Sequence, residues 1–415
     1  MDSKVITALD VGSSKIAALV GEATASHGGG QGNEFNVIGV GIVPSRGVKR
    51  GQIINVSEAT AAIREALDGA ERSSTLKINN VIIGVSGNHI ASQNSQGAVA
   101  IGRGEQGVSL PDINHSLESA QAISIPNNRE IIHVIPRHFK VDDQDGVRNP
   151  IGMLGFRLEV QAHVVTGATT SIQNLLKCAN GAQVEVGELV LAPLASAEAV
   201  LTSTEREMGV VLVDIGSGTT DIAIFIDGAA WHTCVLDVGG SHFTSDLALC
   251  LRLPLETAEQ IKVLNGHCDP QAPPGDQPFI VAGFGDDERV SVHRSEVADI
   301  LHARAEELFN LIVQEVKRSG YDGLLPAGLV VTGGGSLLPG MREVARDATG
   351  LPVRLAQPID LHGLVDTLQS PAYATAMGLL KWGMYDIVAR PSKRRRPAFS
   401  LNVNWKGWLG NLLPR

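Results

Sequence analysis

The sequence has no long apolar run. Nothing in it approaches the ~18 consecutive apolar residues a helix needs to cross a bilayer. Cysteine is scarce: Cys178, Cys234, Cys250 and Cys268 are scattered, with no C-x-x-C pair. That spacing excludes the usual zinc site and a disulfide framework, and it fits a reducing compartment. Positive charge is in the minority. With 34 Lys and Arg against 44 Asp and Glu, the net charge is -10, so no global field draws the chain to nucleic acid. The opening MDSKVITALD places an acid at Asp2 and lacks the apolar core of a secretion signal. The expectation is a soluble, cytosolic body whose membrane contact is peripheral.

The chain has 415 residues, more than one compact core accommodates, so at least two domains are expected. Two segments are alike. Lys4 to Glu22 reads KVITALDVGSSKIAALVGE, and Gly209 to Gly228 reads GVVLVDIGSGTTDIAIFIDG. Each is an apolar strand ending in Asp, a Gly/Ser turn, then a second apolar strand. A third strand follows in each, FNVIGVGIV from Phe35 and WHTCVLDVGG from Trp231, and helical stretches come next at Ser57 to Arg72 and Thr244 to Leu253. The repeat predicts two related α/β domains. Between them, Ser86 to about His163 breaks the pattern with short alternating strands and one helix near Asp112 to Ala122, as a small inserted domain would.

The turns carry the chemistry. In D-V-G-S-S-K (Asp10 to Lys15) and D-I-G-S-G-T-T-D (Asp214 to Asp221), glycines let backbone amides approach phosphate oxygens, and successive amides in a tight turn make a concave anion site. Gly12, Gly216 and Gly218 supply that freedom. Ser13, Ser14, Ser217, Thr219 and Thr220 add hydroxyl donors, and Lys15 adds a positive charge. Asp10 and Asp214 end their strands, where a carboxylate can hold magnesium through its waters. One such turn alone reads equally as a hairpin; two copies, each ending a buried strand in a repeated half, read as a pair of phosphate loops. A third turn, G-L-V-V-T-G-G-G-S-L-L-P-G, follows another apolar strand. Its Gly333, Gly334, Gly335 and Ser336 would let a nucleoside lie on the backbone, with a helix beginning near Pro339.

Three loops in this order resemble the actin, heat-shock chaperone and sugar kinase superfamily. The runs ITALDVGSSKIAALVGE, GVVLVDIGSGTTDIAIF, VTGGGSLLPG and SPAYATAMGLL are similar to the FtsA family of bacterial cell-division proteins, over essentially the whole chain. The resemblance implies an actin/ribonuclease H-like two-lobed α/β fold with an inserted α+β subdomain, 1C, of the SHS2 type. It assigns 1–85, 164–205 and 359–389 to the first lobe (1A) and 86–163 to 1C. It assigns 206–240 and 310–358 to the second lobe (2A), and 241–309 to its outer subdomain, 2B. It implies ATP with Mg2+ as the ligand, weak or no hydrolysis, and self-association into filaments. It also implies binding of the FtsZ C-terminal tail at the division site, and of later division proteins through 1C. The family places ribose and adenine against a second-lobe helix, here LETAEQIKVLNG, which nominates Glu259 and Lys262. The FtsZ tail would meet the helix carrying Arg304 and Asn310, where an exposed arginine beside an apolar groove suits an acidic-hydrophobic peptide. Asp10, Asp214, Asp221 and Glu198, the last in LAPLASAEAVL, are the carboxylates considered for positioning water; none is assigned as catalytic base.

The end of the chain reads differently from the body. Residues 390–402 are rich in Pro, Lys and Arg and predict a linker. In 403–415, Trp405, Trp408, Leu409 and Leu412 fall on one helical face. The stretch is too short to span a bilayer and suits the interface, where tryptophan prefers the headgroup level. Lys393, Arg394, Arg395 and Arg396 precede it, each worth about 1 kcal/mol beside anionic lipid. Gly407 and Gly410 weaken the helix in water, so folding on the membrane's cytoplasmic face is expected. A sugar kinase has no use for such a tail, a chaperone would need a further substrate domain, and a cytosolic pilus-assembly relative would lack the anchor.

Overall fold

The computed structural model describes residues 4–24, 34–102, 107–123, 125–271, 278–285, 289–359, 362–364 and 366–389. Lys4–Val11 (β1) and Lys15–Thr24 (β2) are rich in β-branched and small apolar residues and pair antiparallel. The turn between them is closed by Gly12 N donating to Lys15 O at 3.1 Å. Glu34–Pro44 (β3) adds a third antiparallel strand. A small hairpin, Val48–Lys49 (β4) and Gln52–Ile53 (β5), precedes the helix Val56–Ser74 (α1). Asn55 caps α1, accepting from Ser57 N and Glu58 N. Asn80–Val85 (β6) then lies parallel to β1.

The inserted unit follows: Ile90–Ala100 (β7), Leu110–Gln121 (α2), Arg129–Val141 (β8), Gln144–Val147 (β9) and Arg157–Ala168 (β10). Its strands make a separate sheet in the order β7-β10-β8-β9, with its own core of Ile113, Leu117, Phe139, Leu158 and Val160. The sheet runs on to Ala168, beyond residue 163, because β10 pairs with β7 and β8 along its whole length.

The chain returns through Thr169–Gly181 (α3) to Glu185–Leu191 (β11), which lies parallel to β6. Ala192–Val200 (α4) and Ser203–Met208 (α5) lead to the second repeat, Val210–Ile215 (β12), Thr220–Ile226 (β13) and Ala229–Leu236 (β14). Every residue of β12 and β13 is buried, as a strand covered on both faces requires. Gly240–Cys250 (α6), Leu255–Asn265 (α7), Phe279–Ala282 (β15), Arg289–Val292 (β16) and Arg294–Ser319 (α8) follow. Leu329–Thr332 (β17) lies parallel to β12, Met341–Thr349 (α9) follows it, and Val353–Leu355 (β18) completes the sheet β14-β13-β12-β17-β18. His362–Gly363 (β19) joins the first sheet, β11-β6-β1-β2-β3-β19, and Ala374–Ala389 (α10) closes the body.

The two large sheets share a core. Leu194, Ala197 and Val200 of α4 and Met377, Leu379 and Leu380 of α10 pack between Ile6 and Leu19 of the first sheet and Leu212 and Phe225 of the second. Helices α1 and α3 cover the first sheet's other face, and α6, α8 and α9 cover the second's. One expectation shifts: α8 crosses residues 309 and 310, where 2B was expected to meet 2A. The helix after the third turn begins at Met341, near Pro339 as expected, with Gly340 left-handed before it and the Pro339 carbonyl accepting from Cys268 N at 2.7 Å.

Candidate nucleotide cleft

Both repeat turns sit at the ends of central strands and face each other. They open on a cleft of about 420 Å³, within the usual size of a small-molecule site. From the first turn it takes Asp10, Gly12, Ser13, Ser14 and Lys15; from the second, Asp214, Gly216, Ser217, Gly218, Thr219 and Asp221. The third turn adds Gly333, Gly334 and Gly335, and α7 adds Glu259 and Lys262. The turns are nearly in contact: a Cβ on Gly218 would stand 2.8 Å from Ser13 Oγ and 2.9 Å from Arg50 Cα.

Three predicted residues stand apart from the lining. Thr220 is buried and donates to Val238 O at 2.7 Å. Ser336 is buried and donates to Gly333 O at 2.7 Å, so it shapes the third turn from behind. Glu198 is held by Arg206 at 2.6 Å, outside the cleft. Glu198, considered for positioning water, is corrected on that point: its position on α4 turns it toward α5, whose Arg206 pairs with it.

Three carboxylates converge at the phosphate end. Asp214 accepts from Ser196 Oγ at 2.5 Å and Thr375 Oγ1 at 3.0 Å. Asp221 stands opposite Asp214 in the β12-β13 register and accepts from Ser86 Oγ of the first lobe at 2.6 Å. Burial raises all three. Asp10 is pushed up to about 6, with Lys15 opposing and Asp214 adding repulsion. Asp221 is pushed up to about 8 by burial and then by Asp214 and Asp10. Asp214 is also raised by burial, against its two hydroxyl donors and Lys15. Among the described residues no three His, Cys, Asp or Glu groups surround a point that would hold a metal directly. The carboxylates that end β1 and β12 are the oxygen donors a magnesium ion takes.

The other end of the cleft is apolar, with Phe243, Val263, Leu337 and Pro339. Here Lys262 Nζ pairs with Glu259 at 2.7 Å and donates to Gly240 O at 3.0 Å and Thr244 Oγ1 at 2.8 Å. The i,i+3 ion pair and the cleft lining coexist on α7.

Ser86, Ser196 and Thr375 were not foreseen. Each acts through a hydrogen bond that folding alone creates. Thr375 lies within the SPAYATAMGLL run, whose glycine and small residues pack α10 against α4: a Cβ on Gly378 would stand 1.7 Å from Ala195 O.

On α8, Arg304 is not the open arginine expected. Two bonds to Asp246 of α6, at 2.5 and 3.0 Å, and one to Glu307 at 2.6 Å hold it half-buried. Asn310 is exposed on the same helix. The basic residues Lys393, Arg394, Arg395 and Arg396 and the face Trp405, Trp408, Leu409 and Leu412 lie outside the described residues. Among the described residues no helix is long and apolar enough to cross a membrane.

The family Cell division protein FtsA matches residues 211–378, and the family SHS2 domain inserted in FTSA matches 87–166. The cell division protein FtsA of Pseudomonas aeruginosa is 42% identical, over 92% of this chain and 89% of its own. That of Neisseria meningitidis is 40% identical, over 91% and 89%. Among solved structures, the PilM-PilN type IV pilus biogenesis complex aligns with a TM-score of 0.65 at 18% identity, covering 90% of this chain and 97% of that one. MreB 5 of Spiroplasma citri bound to AMPPNP aligns with a TM-score of 0.56 at 14% identity, covering 94% and 99%. The structures share the fold, and the sequence relatives carry the descent: the chain belongs to the FtsA family of cell-division proteins, within the actin-like superfamily.

Proposed function

We propose that the chain binds ATP with Mg2+ between its lobes, assembles into filaments and ties the FtsZ ring to the cytoplasmic face of the bacterial membrane. One observation carries the nucleotide part: three glycine turns from separate stretches of sequence meet on one cleft that is cationic and acidic at one end and apolar at the other. Backbone amides of the first two turns and Lys15 would hold the phosphates. Asp10 and Asp214 would hold magnesium through water, and Asp221 would complete the acidic floor. The third turn, Glu259 and Lys262 would receive the nucleoside. The Spiroplasma protein of this fold is bound to AMPPNP, which agrees. With Glu198 neutralised by Arg206, nucleotide acts in this reading as a switch that closes the lobes and favours assembly.

Membership of the FtsA family supports the FtsZ tail as partner and the inserted unit as the contact for later division proteins. The basic and amphipathic segments of residues 393–412 supply the anchor by sequence. Co-sedimentation of the full chain with anionic vesicles, with and without ATP and an FtsZ C-terminal peptide, tests the whole. Vesicle binding that carries the peptide with it, and that ATP strengthens through assembly, is expected. A chain that stays in the supernatant while the vesicles pellet, or that fails to retain the peptide, contradicts it.

A further inference from the structure

Lys15 begins β2 at the edge of the first turn and lines the cleft. Its ammonium stands 4.8 Å above the ring centre of Tyr373, within the range of a cation–π contact. Among the described residues it makes no ion pair, and its charge reaches Asp10 and Asp214 only through space. That is unexpected beside two buried carboxylates, which should draw a free ammonium onto themselves. The ring offers it a competing place.

Tyr373 is well fixed for this. It ends the short turn Pro371–Tyr373, where Ser370 Oγ accepts from Ala372 N. Its ring packs against the core shared by the two lobes. Ala372 lines the cleft beside it, and Thr375, two residues on, donates to Asp214. One short segment thus touches the acidic floor, the third turn and the phosphate-loop lysine.

We infer that Tyr373 is a positioning residue for the phosphate chain of the ligand. Its ring holds Lys15 away from Asp10 and Asp214, leaves those carboxylates to the cation, and presents the ammonium to the phosphates with part of its rotamer freedom already lost. Affinity then rises with the number of phosphates through Lys15, and only while the ring is there. The inference rests on the nucleotide reading and deepens it.

Binding of ATP, ADP and adenosine to the full chain with Mg2+ tests it. Tyr373→Leu should weaken ATP on the order of tenfold and leave adenosine unchanged, and Tyr373→Phe should bind ATP like the parent chain. In a Lys15→Met background, Tyr373→Leu should cost nothing further. Pentafluorophenylalanine at position 373 fills the same space with the ring's charge distribution reversed, so it keeps the core and should reproduce the loss. Equal losses for ATP and adenosine, or a full further loss in the Lys15→Met background, would mean Tyr373 is only a core residue. A parent chain that binds ATP, with Tyr373→Leu and the fluorinated ring both unaffected, overturns this inference alone; a parent chain that binds no ATP overturns the nucleotide reading itself.

Discussion

Gly333 and Gly334 are adjacent in sequence and unequal in space. Gly333 has φ +85, and a Cβ there would stand 2.3 Å from Asp214 Oδ1 and 2.5 Å from Ile215 O. At Gly334 the nearest atom to such a Cβ is Ala372 Cβ at 3.7 Å. Gly333→Ala should therefore displace the third turn, abolish ATP binding and lower the melting temperature. Gly334→Ala should leave the melting temperature nearly unchanged, and Gly334→Asp should lose ATP without unfolding. Titration with ATP beside a thermal melt separates the three.

The acidic floor predicts a pH dependence. Asp221 near 8 and Asp10 near 6 lie above the ordinary 3.8, so the folded chain holds protons that the unfolded chain has released. Their contribution is full at acid pH and is lost as pH rises through about 6 and then about 8. The buried His133 and His163, held at about 4 and about 3 by burial, act oppositely and cost stability as pH falls below 6.5. Asp221→Asn should flatten the alkaline limb of a melting-temperature profile between pH 5 and 8 and leave the acid limb in place. An unchanged alkaline limb would mean that Asp221 does not carry the burden. At this scale the glycines, serines and aspartates of the loops were legible because their types and order signal the turn. The donors to those aspartates were not, because Ser86, Ser196 and Thr375 reach them only across the fold.

Among the elements, the inserted sheet is held at two places. It is continuous with β6 and α3 of the first lobe, and it rests on β14 of the second. Arg137 of β8 stacks 3.9 Å over the Trp231 ring and 5.6 Å from Tyr321. His163 joins Asn94 at 2.8 Å to Thr233 at 2.9 Å, and Ser92 Oγ donates to Thr233 O at 2.7 Å. In the proposed reading, closure of the lobes would move the insert or strain this contact. Arg137→Leu removes a buried cation–π contact worth about 1–2 kcal/mol. It should speed hydrogen exchange in β8 and β14 while ATP affinity holds; unchanged exchange in both strands would show that the contact does not fasten the insert. The strand-turn-strand repeats were readable from their apolar runs. The long helix α8 was readable too, from its continuous amphipathic run; the length of β10 was not, because it depends on pairing partners far away in sequence.

At the scale of the whole molecule, the two lobes and their insert follow from the repeated segments and the pattern break between them, whereas the core they share through α4 and α10 left no local signature. The proposed membrane anchor rests on the sequence of residues 403–415. Trp408→Glu places a charge in the apolar face of residues 403–415 and should release the protein from anionic vesicles with ATP binding intact. Undiminished sedimentation would reject the tail as anchor.

The cleft itself is tested most directly by equilibrium titration of the full chain with ATP in the presence of Mg2+. One saturable site per chain, lost in Gly333→Ala and in Gly334→Asp, is the predicted result. Absence of saturable binding by the parent chain, or undiminished binding by both variants, would contradict a nucleotide site built from these three turns.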